Sequence, residues 1–139
     1  MIKIKGCILM LIISLSLFGF TSCQQENNNQ ESTTALITYE QITPEEAKKI
    51  MDTQKAYVII DARTEAEFAE GHIEGAILIP EYEIEQKAEQ EIPDKDTLIL
   101  VYCRSGRRSK IAAESLINLG YTNVKEFGGI IDWQYDIVK

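Results

Sequence analysis

The stretch Cys103-Arg104-Ser105-Gly106-Arg107-Arg108-Ser109 holds the residues of this chain best suited to covalent chemistry. A cysteine is a strong nucleophile once ionised, and ionisation needs positive potential or hydrogen-bond donors beside the sulfur. Three arginines lie within five residues of Cys103, and Gly106 permits a left-handed backbone and close approach to a ligand. The run Thr97 to Tyr102 reads as a strand buried on both faces, and Ser109 to Leu119 places Ile111, Ala112, Ser115, Leu116 and Leu119 at helical spacing. Cys103 therefore sits at a strand-to-helix turn. The unpaired amides of such a turn favour an anion, a thiolate included, which lowers the thiol pKa from its ordinary value of about 8.5. The competing reading of a cysteine that ends an apolar strand is a small buried hydrophobe; the arginines and the glycine weigh against it.

These residues resemble the active-site loop of the rhodanese family, sulfurtransferases whose loop cysteine carries a persulfide, in its common form CRSGxRS. Asp61-Ala62-Arg63, Glu67-Phe68 and Gly71-His72-Ile73-Glu74-Gly75-Ala76, ending at Pro80, resemble a second family stretch at the family's spacing. The resemblance implies an α/β fold, a rhodanese-like open parallel sheet of about five strands with helices on both faces, and an active loop at the C-terminal edge of a central strand. It implies sulfur transfer with Cys103 as nucleophile and Arg104, Ser105, Gly106, Arg107, Arg108 and Ser109 around the substrate. A small anionic donor such as thiosulfate and a thiophilic acceptor are the expected partners, with no cofactor. Two other functions fit the same fold. A carrier or binding module would hold sulfur without turnover, although its usual sign, loss of the loop cysteine, is absent. A cysteine-dependent phosphatase would place its arginine after five intervening residues, at Ser109, whereas Arg108 comes one residue early.

Asp61 and Arg63 follow a strand and emerge at the edge where open α/β sheets bind ligands. Arg63 is thus a candidate for holding an anion; its competing role is an ion pair with Glu67, four residues on, that stabilises a helix start. His72 suggests a general base for Cys103, but its place between Gly71 and Ile73, in the stretch that resembles the rhodanese motif, implies a ring fixed by a backbone hydrogen bond, and a loop-activated thiolate needs no base. A metal site is not expected, because one histidine and one remaining thiol cannot supply three or four ligands.

The elements that position these groups occupy only part of the 139 residues. Lys3 and Lys5 precede an apolar run from Gly6 to Phe20, followed by Thr21-Ser22-Cys23, the three-part pattern of an export signal in residues 1–22. The run is shorter than the about 20 residues of a membrane span. Ser22-Cys23 resembles a bacterial lipoprotein processing site, with Cys23 lipidated and the protein held at the outer face of the cell membrane or on the periplasmic side; Phe20 departs from the usual leucine. Conventional cleavage is the alternative, without an A-x-A-like site to support it. Residues 23–34 are polar and read as a disordered tether, reaching roughly 20 Å. Removing residues 1–22 takes away two lysines and no acid, moving the net charge from −8 to −10. Such a body repels nucleic acid and anionic headgroups, so any membrane association runs through the lipid, and a monomer is expected.

Residues 35–139 form the folded domain. Leu36 to Tyr39 reads as a short strand, and Thr43-Pro44-Glu45-Glu46 as a capped helix start with Ala47, Ile50 and Met51 turned inward. Tyr57 to Ile60 and Ile77 to Ile79 are further strands. Between them a second capping box, Thr64 to Glu67, starts a short helix with Ala66 and Phe68 facing inward, closed by a left-handed Gly71. Glu81 to Glu91 reads as a solvated acidic helix, Asn123 to Phe127 as the last strand, and the residues after Gly128-Gly129 as a terminal helix bearing Ile131, Trp133 and Tyr135. Strands alternating with helices argue for a parallel sheet with right-handed crossovers.

Overall fold

A computed structural model describes residues 38–139; the expected export signal and tether, Cys23 and the Leu36-Ile37 part of the expected first strand lie outside the described residues. Five strands form one parallel sheet in the order β1-β5-β4-β2-β3. They are β1 (Glu40–Gln41), β2 (Val58–Asp61), β3 (Ala76–Leu78), β4 (Ile99–Cys103) and β5 (Val124–Gly129), with helices α1 (Pro44–Thr53), α2 (Glu65–Glu70), α3 (Ile84–Glu91) and α4 (Arg107–Asn118) between them. The α/β alternation of strands and helices expected from the sequence is thus present. Side chains alternate across the sheet. Ile60, Val101, Cys103 and Val124 pack with α3 and α4 on one face, while Ile59, Leu100, Tyr102 and Phe127 pack with α1 and Trp133 on the other. All five residues of β4 are buried, because it lies in the centre of the sheet with helices over both faces.

Local chemistry sets where the helices begin. Thr43 accepts the Glu46 amide while Glu46 accepts the Thr43 amide, and Thr64 and Glu67 repeat this reciprocal cap, so both starts fall where the sequence places them. Elsewhere the structure departs from expectation. The first strand lies at Glu40–Gln41, one residue past Tyr39. Helix α2 buries neither Ala66 nor Phe68 fully; Ala66 is exposed and Phe68 instead stacks on the His72 ring, centroids 3.7 Å apart. Gly71 closes α2 at φ 153°, ψ 142°, an opened-out geometry rather than a compact left-handed turn. The acidic segment is half core: after a 3₁₀ turn at Glu81–Glu83, Ile84, Ala88 and Ile92 line one buried stripe. In α4 the buried stripe is Ser109, Ala112, Ala113 and Leu116, leaving Ile111 exposed. The C-terminal helix is only a 3₁₀ turn, Ile130–Asp132, after which the chain runs on to an antiparallel bridge between Val138 and His72.

A buried polar cluster ties β2, β4 and the segment before β3. The fully buried Asp61 accepts bonds from the Arg63 amide, from Arg63 Nε and Nη2, and from the Tyr102 hydroxyl at 2.6 Å. Tyr102 in turn accepts the Ile73 amide at 3.1 Å. Burial, and then the carboxylate beside it, push the Tyr102 phenol far up, so it stays a donor. Tyr102→Phe leaves the buried Ile73 amide without a partner, for which the desolvation cost is about 1–3 kcal/mol. Urea unfolding should show that loss as a lower midpoint with an unchanged slope; an unchanged midpoint would show that the cluster contributes no stability.

Candidate active site

Strand β4 delivers Cys103 to the C-terminal edge of the sheet, where its pairing with β5 slips between Val101 and Cys103 and sets Cys103 opposite Gly129. The chain then turns within three residues. Gly106 caps α4 at φ 93°, ψ −14°, a conformation in which a side chain is strained, and its amide points back at Cys103 Sγ, 3.1 Å away. The turn rests on β5: a Cβ on Gly129 would lie 2.2 Å from the Arg104 carbonyl oxygen and 2.5 Å from Ser105 Cα. The Ile131 amide donates to that same Arg104 oxygen at 3.2 Å, fixing the loop's outer strand of backbone from below.

Cys103 is 1% exposed, and burial alone pushes its thiol up. Hydrogen bonds from the Ser109 hydroxyl and amide and from the Ser105 and Gly106 amides outweigh it, and the balance falls below the ordinary thiol value. The Ser109 hydroxyl donates to Glu126 Oε1 at 2.6 Å and lies 3.3 Å from the Gly128 carbonyl oxygen. The Gly106 amide donates to the sulfur directly.

The other loop residues divide by exposure. Arg104, Ser105 and Arg107 are exposed, Gly106 and Ser109 are buried, and Arg108 is intermediate. Arg108 is already engaged: Nη1 and Nη2 each donate to one Glu67 oxygen at 2.7 Å in a two-point pair. This corrects the expected pairing of Arg63 with Glu67. Arg63 is 5% exposed and spends its donors on Asp61 and the Gly71 carbonyl, so the structure draws it into the core cluster rather than toward an anion. His72 is held as expected, its Nδ1 donating to the Phe68 carbonyl at 3.1 Å. Three contributors were not anticipated as part of the site: Glu67 as the partner of Arg108, Glu126 behind Ser109, and Gly129 under the loop. The Gly128-Gly129 pair was the visible signal for the last; the two carboxylates carry no local signal, since their partners are 41 and 17 residues away.

Comparison with known proteins points one way. A family model described as rhodanese-like domain matches residues 43–136. The chain is 40% identical over 80 residues to thiosulfate sulfurtransferase PspE of Escherichia coli, a match covering 58% of this chain and 77% of that protein. It is 32% identical over 98 residues to thiosulfate sulfurtransferase GlpE of Haemophilus influenzae, covering 70% of this chain and 90% of the relative. Among solved structures it is similar to a rhodanese with anions from E. coli, with a TM-score of 0.58 and 38% identity over 60% of this chain and 99% of that one.

The Arg108–Glu67 pair has a pH signature. Its hydrogen bonds from Arg108 hold the Glu67 carboxyl at about 2, against an ordinary 4.5. Below the ordinary value the unfolded chain binds the proton more readily, so the pair's stabilisation is complete above it and fades as pH falls toward the folded value. The thermal unfolding midpoint should therefore fall as pH is lowered from about 5 toward about 2. Arg108→Ala should cost about 1–3 kcal/mol at neutral pH and flatten that decline; an equally steep acid decline in the variant would assign it to other carboxylates.

Proposed function

The chain belongs to the rhodanese family and is a sulfurtransferase of the thiosulfate sulfurtransferase type, and from that premise we propose that it works through a persulfide on Cys103. The Cys103 thiolate attacks the outer, sulfane sulfur of a donor such as thiosulfate; the donor's S–S bond breaks and sulfite leaves with the electron pair. A thiophilic acceptor then attacks the outer sulfur of the persulfide and regenerates the thiolate. The observation that carries this reading is the turn of amides around Cys103 Sγ, with Gly106 N at 3.1 Å. Such donors, fixed before the reaction, favour negative charge on either sulfur of the persulfide without reorganisation.

Substrate binding divides among the remaining loop residues. Arg104 and Arg107, exposed and free of ion pairs among the described residues, draw a dianionic donor toward an otherwise acidic body and face its sulfonate end. Ser105, Gly106 and Ser109 contribute amides, and Arg108 acts by anchoring the start of α4 to α2 through Glu67. Arg63 supports the same edge from within the core. No cofactor enters these steps. The signal and tether complete the proposal: export, lipidation at Cys23, and a monomeric domain held at the membrane through that lipid alone, without nucleic-acid partners.

Incubation with thiosulfate should add one reducible sulfur atom to the peptide containing Cys103, and cyanide should remove it as thiocyanate. Cys103→Ser should abolish both steps while the protein stays folded, because a hydroxyl is close in size but remains protonated. Mass spectrometry reads the first step directly, and sulfur transfer undiminished in Cys103→Ser would overturn the mechanism. For the location, Cys23→Ala should move the protein out of the membrane fraction; wild-type protein recovered unlipidated in the soluble exported fraction would refute the anchor.

A further inference from the structure

Three arginines follow Cys103 within five residues, and one of them is neutralised by a side chain from another helix. Arg108 Nη1 and Nη2 each donate to one Glu67 oxygen at 2.7 Å, the two side chains being 18% and 23% exposed. Glu67 is itself pinned at the cap of α2, where its Oε2 also accepts the Thr64 amide at 3.1 Å and the Thr64 hydroxyl at 2.9 Å. A carboxylate held from both sides, in a two-point pair, opposes any swing of the guanidinium toward the sulfur. The hydrogen bonds to Glu67 raise the Arg108 pKa above its usual range, and the charges of Glu67, Cys103 and Glu81 add to this. Arg104 and Arg107, by contrast, are exposed and have no carboxylate partner among the described residues.

Arg108 starts close to the sulfur. Gly106, whose amide meets Cys103 Sγ at 3.1 Å, precedes it by two residues, a rise of about 3 Å along a helix. A free guanidinium so placed would add a third positive charge to the field that anions meet at the thiolate. We infer that Glu67 sets the charge selectivity of the sulfur site: by neutralising Arg108 it subtracts that third charge and leaves the attraction for anions to Arg104 and Arg107 at the mouth. Glu67 determines specificity through Arg108, without touching substrate. The inference deepens the persulfide reading and rests on it for its meaning in turnover. In each cycle a dianionic donor enters and sulfite leaves, so charge that speeds capture also retains the product. A donor of this class is admitted by two free arginines and released because the third is tied.

Two alkylating reagents of nearly equal size read this field on the thiol itself. Iodoacetate is an anion and iodoacetamide is neutral; each forms an S–C bond with Cys103 and expels iodide. The ratio of their rates therefore cancels thiolate content and access, which affect both alike, and reports the charge around the sulfur. The rates are measured in the full chain by mass spectrometry of the Cys103 peptide. Glu67→Gln, which can still complete the α2 cap, should raise the iodoacetate to iodoacetamide ratio about threefold to tenfold. Arg108→Gln leaves Glu67 without its counter-ion and should lower the ratio. Glu67→Gln combined with Arg108→Gln removes both charges and should return the ratio to that of the wild type. A ratio that stays constant in both single variants, whatever happens to the separate rates, would make the pair purely structural and overturn the inference. A combined variant as low as Arg108→Gln would overturn it too, by showing that Arg108 draws the anion directly despite its pairing. Each single variant has its own expected direction, so one that does not fold leaves the other to decide. If instead the persulfide reading fails, thiosulfate adds no sulfur to Cys103 while the ratio still follows the charge of the pair.

Discussion

The 3.1 Å hydrogen bond from the Gly106 amide to Cys103 Sγ exists only because the chain reverses between a strand and a helix in three residues. That reversal is steeper than side chains allow at two places. Gly106 must adopt a positive φ, and Gly129 must let the Arg104 carbonyl pass where a Cβ would sit. The rest of the sheet follows from holding these two backbones against each other: β4 in the centre, β5 beside it, α4 starting at Arg107 and packing on both. A sulfur ringed by backbone donors needs no cation in contact to be ionised. The arginines are thereby left to deal with whatever approaches from solvent.

Electrostatics at the site are divided in the same manner. One arginine is locked in a two-point pair, another is sunk in the core against Asp61, and two remain at the mouth. A guanidinium already neutralised by a carboxylate contributes geometry more than field, whereas an exposed one contributes field that salt can screen. On a chain with a formal charge of −8, two uncommitted arginines mark one small region as attractive to anions.

The loop, the capped starts of α1 and α2 and the parallel alternation were legible because each depends on neighbours close in sequence. Thr43 finds Glu46 three residues on, and Thr64 finds Glu67 likewise. What was illegible depends on partners distant in sequence. Glu67 lies four residues from Arg63, yet it binds Arg108, since Asp61 reaches Arg63 first across a two-residue turn. The acidic segment looked solvated by composition, although Ile84, Ala88 and Ile92 repeat every four residues and find the core. The terminal residues Ile131, Trp133 and Tyr135 had an apolar spacing compatible with a helix. Trp133 instead packs edge to face with Tyr135 and beside Phe127, contacts that an extended path can supply as well.

The strand order has a consequence for how the polypeptide is made. The strand that backs the cysteine loop is the last of the five described strands, and its neighbour β1 is the first of them. A nascent chain displays Cys103 before residues 124–129 have left the ribosome, so the loop has no floor until those residues emerge. Contacts between the two ends of a sequence are the slowest to form, because the intervening loop must close first. A product truncated before β5 carries Cys103 without the Gly129 shelf against which its loop rests.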